Sequence, residues 1–249
     1  MKPNPYFAND KERAELLARR DSFKFTEPEP LPKLVVLIAG REGTGKTHLA
    51  CTMNELGPVF LLDTEYRAQI VTNKFSNVKF ALTKNFIELV VAVKHILKNQ
   101  SSGTIVIDSG SDLQTFAEIA YLERSEKEKV GLPWNWAEVW RLCNALIDGV
   151  RLSQNFHLVV TSRVKEEYAN DRPTGQIIPR IYSTLPYKAD LVLQFADKPR
   201  KLFVTKNGFS GDTVPEDLSK FTLPGIIEQL AIPSAPVTAV PGQSLKIAS

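Results

Sequence analysis

Residues Gly40 to Thr47 read GREGTGKT and match the pattern G-x-x-x-x-G-K-[ST] in full. The flanks restrict the fold further. LVVLIAG (34–40) is a continuous apolar run of strand length, which suggests a strand buried on both faces. After the loop, Leu49, Ala50, Met53 and Leu56 fall on one helical face. A buried strand, a glycine-rich turn and an amphipathic helix in this order make a phosphate cradle. Gly40, Gly43 and Gly45 let the backbone wrap closely enough for its N–H groups to face phosphate oxygens. The helix starting near Lys46 turns its positive end to the same anion. Gly40, Arg41, Glu42, Gly43, Thr44, Gly45, Lys46, Thr47 and His48 are therefore the candidate nucleotide ligands. Lys46 also counts as catalytic, because its cation reaches the β- and γ-phosphates, and the Thr47 hydroxyl is a candidate ligand for Mg²⁺.

TIVIDSGSD (104–112) reads as a second buried strand, and it ends in a carboxylate. Asp108 is the expected support for Mg²⁺. Hydrolysis also requires a carboxylate near the γ-phosphate to orient or deprotonate water. The residue after Asp108 is Ser109, which cannot act as that base. Another strand, PVFLLDTE (58–65), ends in Asp63-Thr64-Glu65. Ligands of parallel α/β sheets sit at the carboxyl ends of strands, so Glu65 can face the same crevice and is the candidate base. The guanine-specifying motif N-K-x-D is absent from the sequence, which favours ATP.

Strands and helices alternate through the first two-thirds of the chain, which argues for an α/β fold with a mainly parallel sheet. Helices are expected over Phe86 to Leu97, over Leu113 to Lys129, and along the stripe Trp136, Val139, Trp140, Cys143, Ile147 and Val150. HLVVTS (157–162), ADLVLQF (189–195) and KLFVTK (201–206) read as strands, the last closely spaced and so expected to be antiparallel. The expected organisation is an N-terminal arm or strap over 1–33, an ATPase core over 34–231, and a flexible Pro/Ser/Ala-rich tail over 232–249. Phe23 and Phe25 of the arm are expected to pack on the domain's own surface, the alternative being a strap that docks on a neighbouring subunit. The 249 residues, 43% hydrophobic and 24% charged, suffice for one sizeable domain with arms. A net charge of +3 gives no global polybasic character, so any nucleic-acid contact has to be local. Two cysteines without metal-type spacing, no signal-peptide pattern and no apolar run near ~20 residues lead to the expectation of a cytoplasmic protein with no membrane contact.

The order of these motifs resembles the RecA-like P-loop ATPase core. The strand ending in D-T-E and the Asp108 strand lacking an adjacent glutamate carry the resemblance, which covers about residues 34–210. The pattern is most similar to the short RecA-like single-strand annealing and recombination ATPases of bacteriophages, whose setting would be the host cytoplasm. The resemblance places the catalytic base on Glu65. HLVVTSRV (157–164) is similar to the family strand that ends in Asn-Gln, whose glutamine contacts the γ-phosphate; here the pair is Ser162-Arg163, and Arg163 becomes the candidate phosphate contact. KLFVTKNG (201–208) is similar to the segment whose lysines reach the ATP of a neighbouring subunit, which assigns that role to Lys206. The resemblance implies a homo-oligomer, ring or filament, with ATP at subunit interfaces, and a single-strand-binding protein as a further partner.

The resemblance also implies that the segment 168–188 touches single-stranded DNA. Nine Lys/Arg lie between Arg163 and Lys206 against five Asp/Glu. Cationic side chains with interleaved aromatics are what backbone neutralisation and base stacking require. Lys165, Arg172, Arg180, Tyr182, Tyr187 and Lys188 are the candidate DNA contacts. The competing reading of this segment is a β-hairpin packed on the core, because IIPRIY alternates like a strand. Three functions remain open at this point: an ATP-hydrolysing protein that binds single-stranded DNA and assists annealing or recombination, a helicase-loader-like replication ATPase, and a nucleotide-switched assembly module.

Overall fold

Strand β1 (Val35–Ala39) is the VVLIA run, and all five of its residues are buried. The structure is a computed structural model that describes residues 32–126, 129–131, 133–196, 201–209 and 217–231. The chain divides into two units, Met1–Pro32 and Lys33–Ser249, and apart from Pro32 the described residues belong to the second. The expected arm and tail lie outside the described residues, save Pro32 and Lys33.

In chain order, β1 is followed by α1 (Lys46–Cys51), β2 (Val59–Asp63), α2 (Gln69–Thr72), β3 (Val78–Leu82), α3 (Phe86–Asn99), β4 (Gly103–Asp108), α4 (Leu113–Ser125) and α5 (Pro133–Leu152). Then come β5 (Phe156–Ser162), β6 (Val164–Ala169), β7 (Arg172–Pro179), α6 (Leu185–Lys188), β8 (Leu191–Phe195), β9 (Leu202–Asn207) and α7 (Leu223–Ala231). Seven strands form one sheet in the order β3-β2-β4-β5-β1-β8-β9. All neighbours are parallel except β9, which runs antiparallel to β8. The chain is thus an α/β P-loop NTPase fold with a mainly parallel sheet and an antiparallel strand at its C-terminal end.

Both faces of the central strands are covered, which is why those strands read as unbroken apolar runs. Val35 and Leu37 pack with Leu89, Val93, Ala117, Val139 and Ile147 from α3, α4 and α5. Leu34, Val36 and Ile38 face the other way, toward Leu49 and Ala50 of α1 and Ile226 and Ile227 of α7. Helix α3 begins with a reciprocal cap: Asn85 accepts the Glu88 N–H at 2.9 Å, and the Glu88 carboxylate accepts the Lys84 N–H at 2.8 Å.

Several expectations shift. α1 turns into a 3-10 segment (Thr52–Glu55), which leaves Leu56 half exposed rather than on the buried face. β3 has no clear strand pattern in the sequence; it is the sheet edge, and four of its five residues are exposed. α4 stops at Ser125, with Glu126 in the left-handed region at φ 56. β6 and β7 pair only with each other, and most of their residues are exposed, so the hairpin is not packed flat on the core. Asn170 and Asp171, at φ 51 and 59, form its two-residue turn, a conformation that suits right-handed strand twist and favours Asn and Asp.

Candidate active site

The loop after β1 is shaped by contacts that leave little room for side chains. A Cβ on Gly40 would lie 2.8 Å from Thr44 Oγ1 and 3.0 Å from Phe195 Cβ. Gly45 stands at the start of α1 with φ 99, a left-handed conformation that glycine adopts without penalty. No side chain caps the helix, so its first N–H groups are open toward an anion. Lys46 Nζ donates to the carbonyls of Gly40 at 2.9 Å and Arg41 at 2.8 Å. Thr44 Oγ1 donates to Arg41 O at 2.8 Å. His48 packs its ring edge-on against Phe75 at 4.9 Å.

Strand β5 lies between β1 and β4, and it ties the two chemical strand ends together. The Gly40 N–H donates to Ser162 O at 3.1 Å. Thr161 Oγ1 donates to Asp108 Oδ1, and Thr47 Oγ1 donates to Asp108 Oδ2 at 2.8 Å. Both oxygens of the carboxylate are therefore held. Burial pushes the Asp108 carboxyl above its ordinary pKa, and these two hydroxyls oppose the shift. Burial lowers the pKa of Lys46, against the attraction of Asp108 and Glu65.

Ser109 is part of the turn. Its side chain accepts the Ser111 N–H at 3.1 Å, and its own N–H donates to Thr64 Oγ1 at 2.9 Å. Thr64 Oγ1 in turn donates to Asp112 Oδ2 at 2.9 Å, so the ends of β2 and β4 are stitched side by side. Asp63, fully buried, accepts the N–H groups of Glu65 and Ala68, each at 2.9 Å. That folds the chain sharply after β2 and presents Glu65 toward the cleft. There Glu65 Oε1 accepts a hydrogen bond from Arg163 Nε at 3.1 Å. This bond is the largest cause holding the Arg163 guanidinium above its ordinary pKa. Arg163 Nη2 also lies 3.9 Å from Glu42 Oε1, and Glu42 Oε2 lies 3.8 Å from Arg67 Nη1.

Glu42, Gly43, Gly45, Lys46, Thr47, His48, Glu65, Asp108 and Arg163 all line one cavity of about 290 Å³. Glu65 thus lines the same cavity as the loop after β1. The residue types fit Mg²⁺: a hydroxyl and a carboxylate oxygen converge, a donor set suited to an ion that takes its remaining ligands from phosphate and water. Among the described residues no cluster of three or more His, Cys, Asp or Glu could hold a metal alone.

The candidate DNA contacts are not all on the surface. Tyr182 is a core residue, 1% exposed and packed in the cluster with Ile147 and Cys143, so it cannot stack on a base. This corrects the expectation; the apolar residues around its ring decide it. Lys188 is engaged with Asp148, at 2.6 and 2.7 Å. Lys165, Arg172 and Arg180 are exposed, and Tyr187 is 83% exposed. Within the hairpin, Lys165 and Arg172 are outnumbered by Glu166, Glu167 and Asp171, so the basic surplus is not there. Lys206 Nζ donates to the carbonyls of Pro186, Tyr187 and Ala189 at 3.1, 2.8 and 2.6 Å, closing the end of α6, and it does not line the cleft. Arg41 is exposed beside the loop. Lys198 and Arg200 lie outside the described residues.

Sequence reasoning missed Thr161, Asp63 and Thr64 as supports of the site. A polar residue at the end of the apolar run HLVVT was the available signal for Thr161.

The sequence profile of the AAA domain family matches residues 32–217, spanning the loop, both carboxylate strands and the hairpin. The chain belongs to the AAA domain family. Its AAA domain is a P-loop ATPase domain. Among solved structures, the chain is similar to an ATPase of the type III secretion system of pathogenic bacteria, at 14% identity and a TM-score of 0.47. That match covers 67% of this chain and 53% of the other, so the AAA protein spans about half the length of that ATPase. No curated protein matches it. No helix among its described residues is long and apolar enough to cross a membrane.

Proposed function

We propose that the protein hydrolyses Mg-ATP and uses the cycle to act on single-stranded DNA in annealing or recombination. The observation that carries the first half is the convergence of Lys46, Thr47, Glu65 and Asp108 on one cavity. In this reading Lys46 and the loop N–H groups hold the β- and γ-phosphates, and Thr47 and Asp108 would hold Mg²⁺, which would supply charge neutralisation at the phosphates. Glu65 orients a water and accepts its proton. The water oxygen bonds to the γ-phosphorus as the bond to the β–γ bridging oxygen breaks, giving ADP and phosphate.

The hairpin supports the second half. β6 starts directly after Arg163 at the cleft, and the Arg180 N–H returns to Arg163 O at 2.7 Å. An exposed two-stranded arm rooted at the phosphate site is suited to couple nucleotide to a polymer. Tyr168, 64% exposed, joins Arg172, Arg180 and Tyr187 as a DNA contact in this reading. A homo-oligomer with ATP between subunits, a single-strand-binding protein as partner, and a cytoplasmic setting (the host's, for a phage protein) belong to the same reading. One observation favours a second reading, in which the hairpin contacts a protein, as in a helicase-loader-like switch: its charges nearly balance, and Ile177 and Tyr168 are exposed on it.

The test is steady-state ATPase activity with and without single-stranded DNA across protein concentrations, alongside salt-dependent DNA binding. Stimulation by single strands supports the DNA reading. An intact ATPase that neither binds nor responds to single strands overturns it in favour of the protein partner.

A further inference from the structure

Three cationic side chains among the described residues line the cavity, and they are engaged differently. Lys46 rests on loop carbonyls, and Arg67 lies toward Glu42. Arg163 alone is bonded to Glu65, the residue read above as the base. The backbone of Arg163 is fixed on both sides: its N–H donates to Ser111 Oγ at 2.9 Å, and its carbonyl accepts the Arg180 N–H at 2.7 Å. Its side chain is not so constrained. It is 38% exposed and reaches carboxylates on two elements, Glu65 after β2 and Glu42 in the phosphate loop.

A guanidinium offers a fixed fork of donors, and both carboxylate and phosphate suit it. A γ-phosphate entering between Lys46 and Arg163 would present more negative charge than Glu65 and would compete for the same fork. While Arg163 keeps Glu65, the Oε1 oxygen of the carboxylate is taken up by the arginine. The two roles exclude each other at one side chain.

We propose that Arg163 is a positioning residue for Glu65, holding its carboxylate by the Nε bond until a γ-phosphate draws the guanidinium away and leaves Glu65 to engage the attacking water. The proposal rests on the reading of Glu65 as the base. It gives the exchange a direction: ATP, but not ADP, releases Glu65, because only ATP carries the competing group.

The test is a binding cycle that does not depend on turnover. Dissociation constants for Mg-ADP and for the Mg complex of a non-hydrolysable imido analogue of ATP are measured by calorimetry on wild type, Glu65→Gln, Arg163→Ala and the double variant. Thermal melts confirm that each variant is folded. Releasing Arg163 by Glu65→Gln should tighten the analogue relative to ADP by roughly three- to fivefold beyond the gain the same substitution gives in the Arg163→Ala background, the range expected for a partly exposed ion pair. Arg163→Lys, which keeps the charge but loses the Nε donor, should restore only part of that excess. Equal gains in both backgrounds, or no gain with Arg163 present, overturn the proposal. Failure of the underlying reading would be seen separately, as wild-type turnover by Glu65→Gln.

Discussion

The Thr47 hydroxyl lies 2.8 Å from Asp108 Oδ2, joining the first turn of α1 to the end of β4 across the intervening strand β5. Thr161, on β5 itself, holds the other oxygen of the same carboxylate. The pair is the oxygen set that would carry Mg²⁺, and Asp108 is held in place before any ion is considered.

Asp108→Asn should keep the carboxamide in the same polar surroundings but remove the charge that a divalent cation needs. The Mg²⁺ concentration that supports half-maximal ATP turnover should rise by about 10- to 100-fold. A Mg²⁺ titration of activity checks this. Thr161→Val should act in the same direction and more weakly, because it frees the carboxylate without discharging it.

Glu65→Gln should lower the turnover number by about 10²- to 10⁴-fold, the usual contribution of a general base, without weakening Mg-ATP binding. Single-turnover hydrolysis alongside equilibrium binding separates the two effects. Lys46→Ala should instead weaken nucleotide binding itself, since its cation reads the phosphates in both states.

Tyr182→Phe should leave single-strand binding unchanged and be neutral or stabilising by about 1 kcal/mol, because the buried hydroxyl has no hydrogen-bond partner. Tyr168→Ala should leave the fold intact, since the side chain stands on an exposed hairpin. If single strands stack there, it should weaken binding by about 1–3 kcal/mol. Fluorescence anisotropy with a labelled oligonucleotide measures both variants.

His157 is buried at the start of β5, where Nδ1 accepts the Leu34 N–H at 3.3 Å, and burial, then Lys33, lowers its pKa to about 4. The unfolded chain takes up a proton there below about 6.5, and the folded protein does so only near 4. The stability that neutral His157 contributes is therefore present above pH 6.5 and is lost as pH falls from about 6.5 to 4, by roughly 3 kcal/mol in total. Urea denaturation of wild type and His157→Gln across this window checks it. The variant should be less stable at pH 7 and lose less on acidification.

The phosphate loop was legible because its constraints are local. Gly45 needs its left-handed φ within a few residues of Lys46, and the apolar run before it announces a strand covered on both faces. Asp108 was legible for the same reason, as the last residue of such a run. β3 was not: it is an edge strand with four exposed residues, so it lacks the pattern that burial imprints on β1, β2 and β4. Tyr182 misled because an aromatic between basic residues looks alike whether it turns toward solvent or into a core. The intramolecular partners of Lys188 and Lys206, Asp148 and the carbonyls at the end of α6, were not legible either, since they are set by packing.

The sequence by itself determined the strand–loop–helix cradle, the carboxylate at the end of β4 and the alternation that makes an α/β sheet. These follow from backbone sterics and hydrophobic period over a dozen residues or fewer. The tertiary structure alone decided that β5 enters between β1 and β4. That single choice of strand order puts Thr161 on Asp108 and Arg163 on Glu65, residues 53 and 98 positions apart. Strand order is chosen by long-range packing of both sheet faces, and no local period records it.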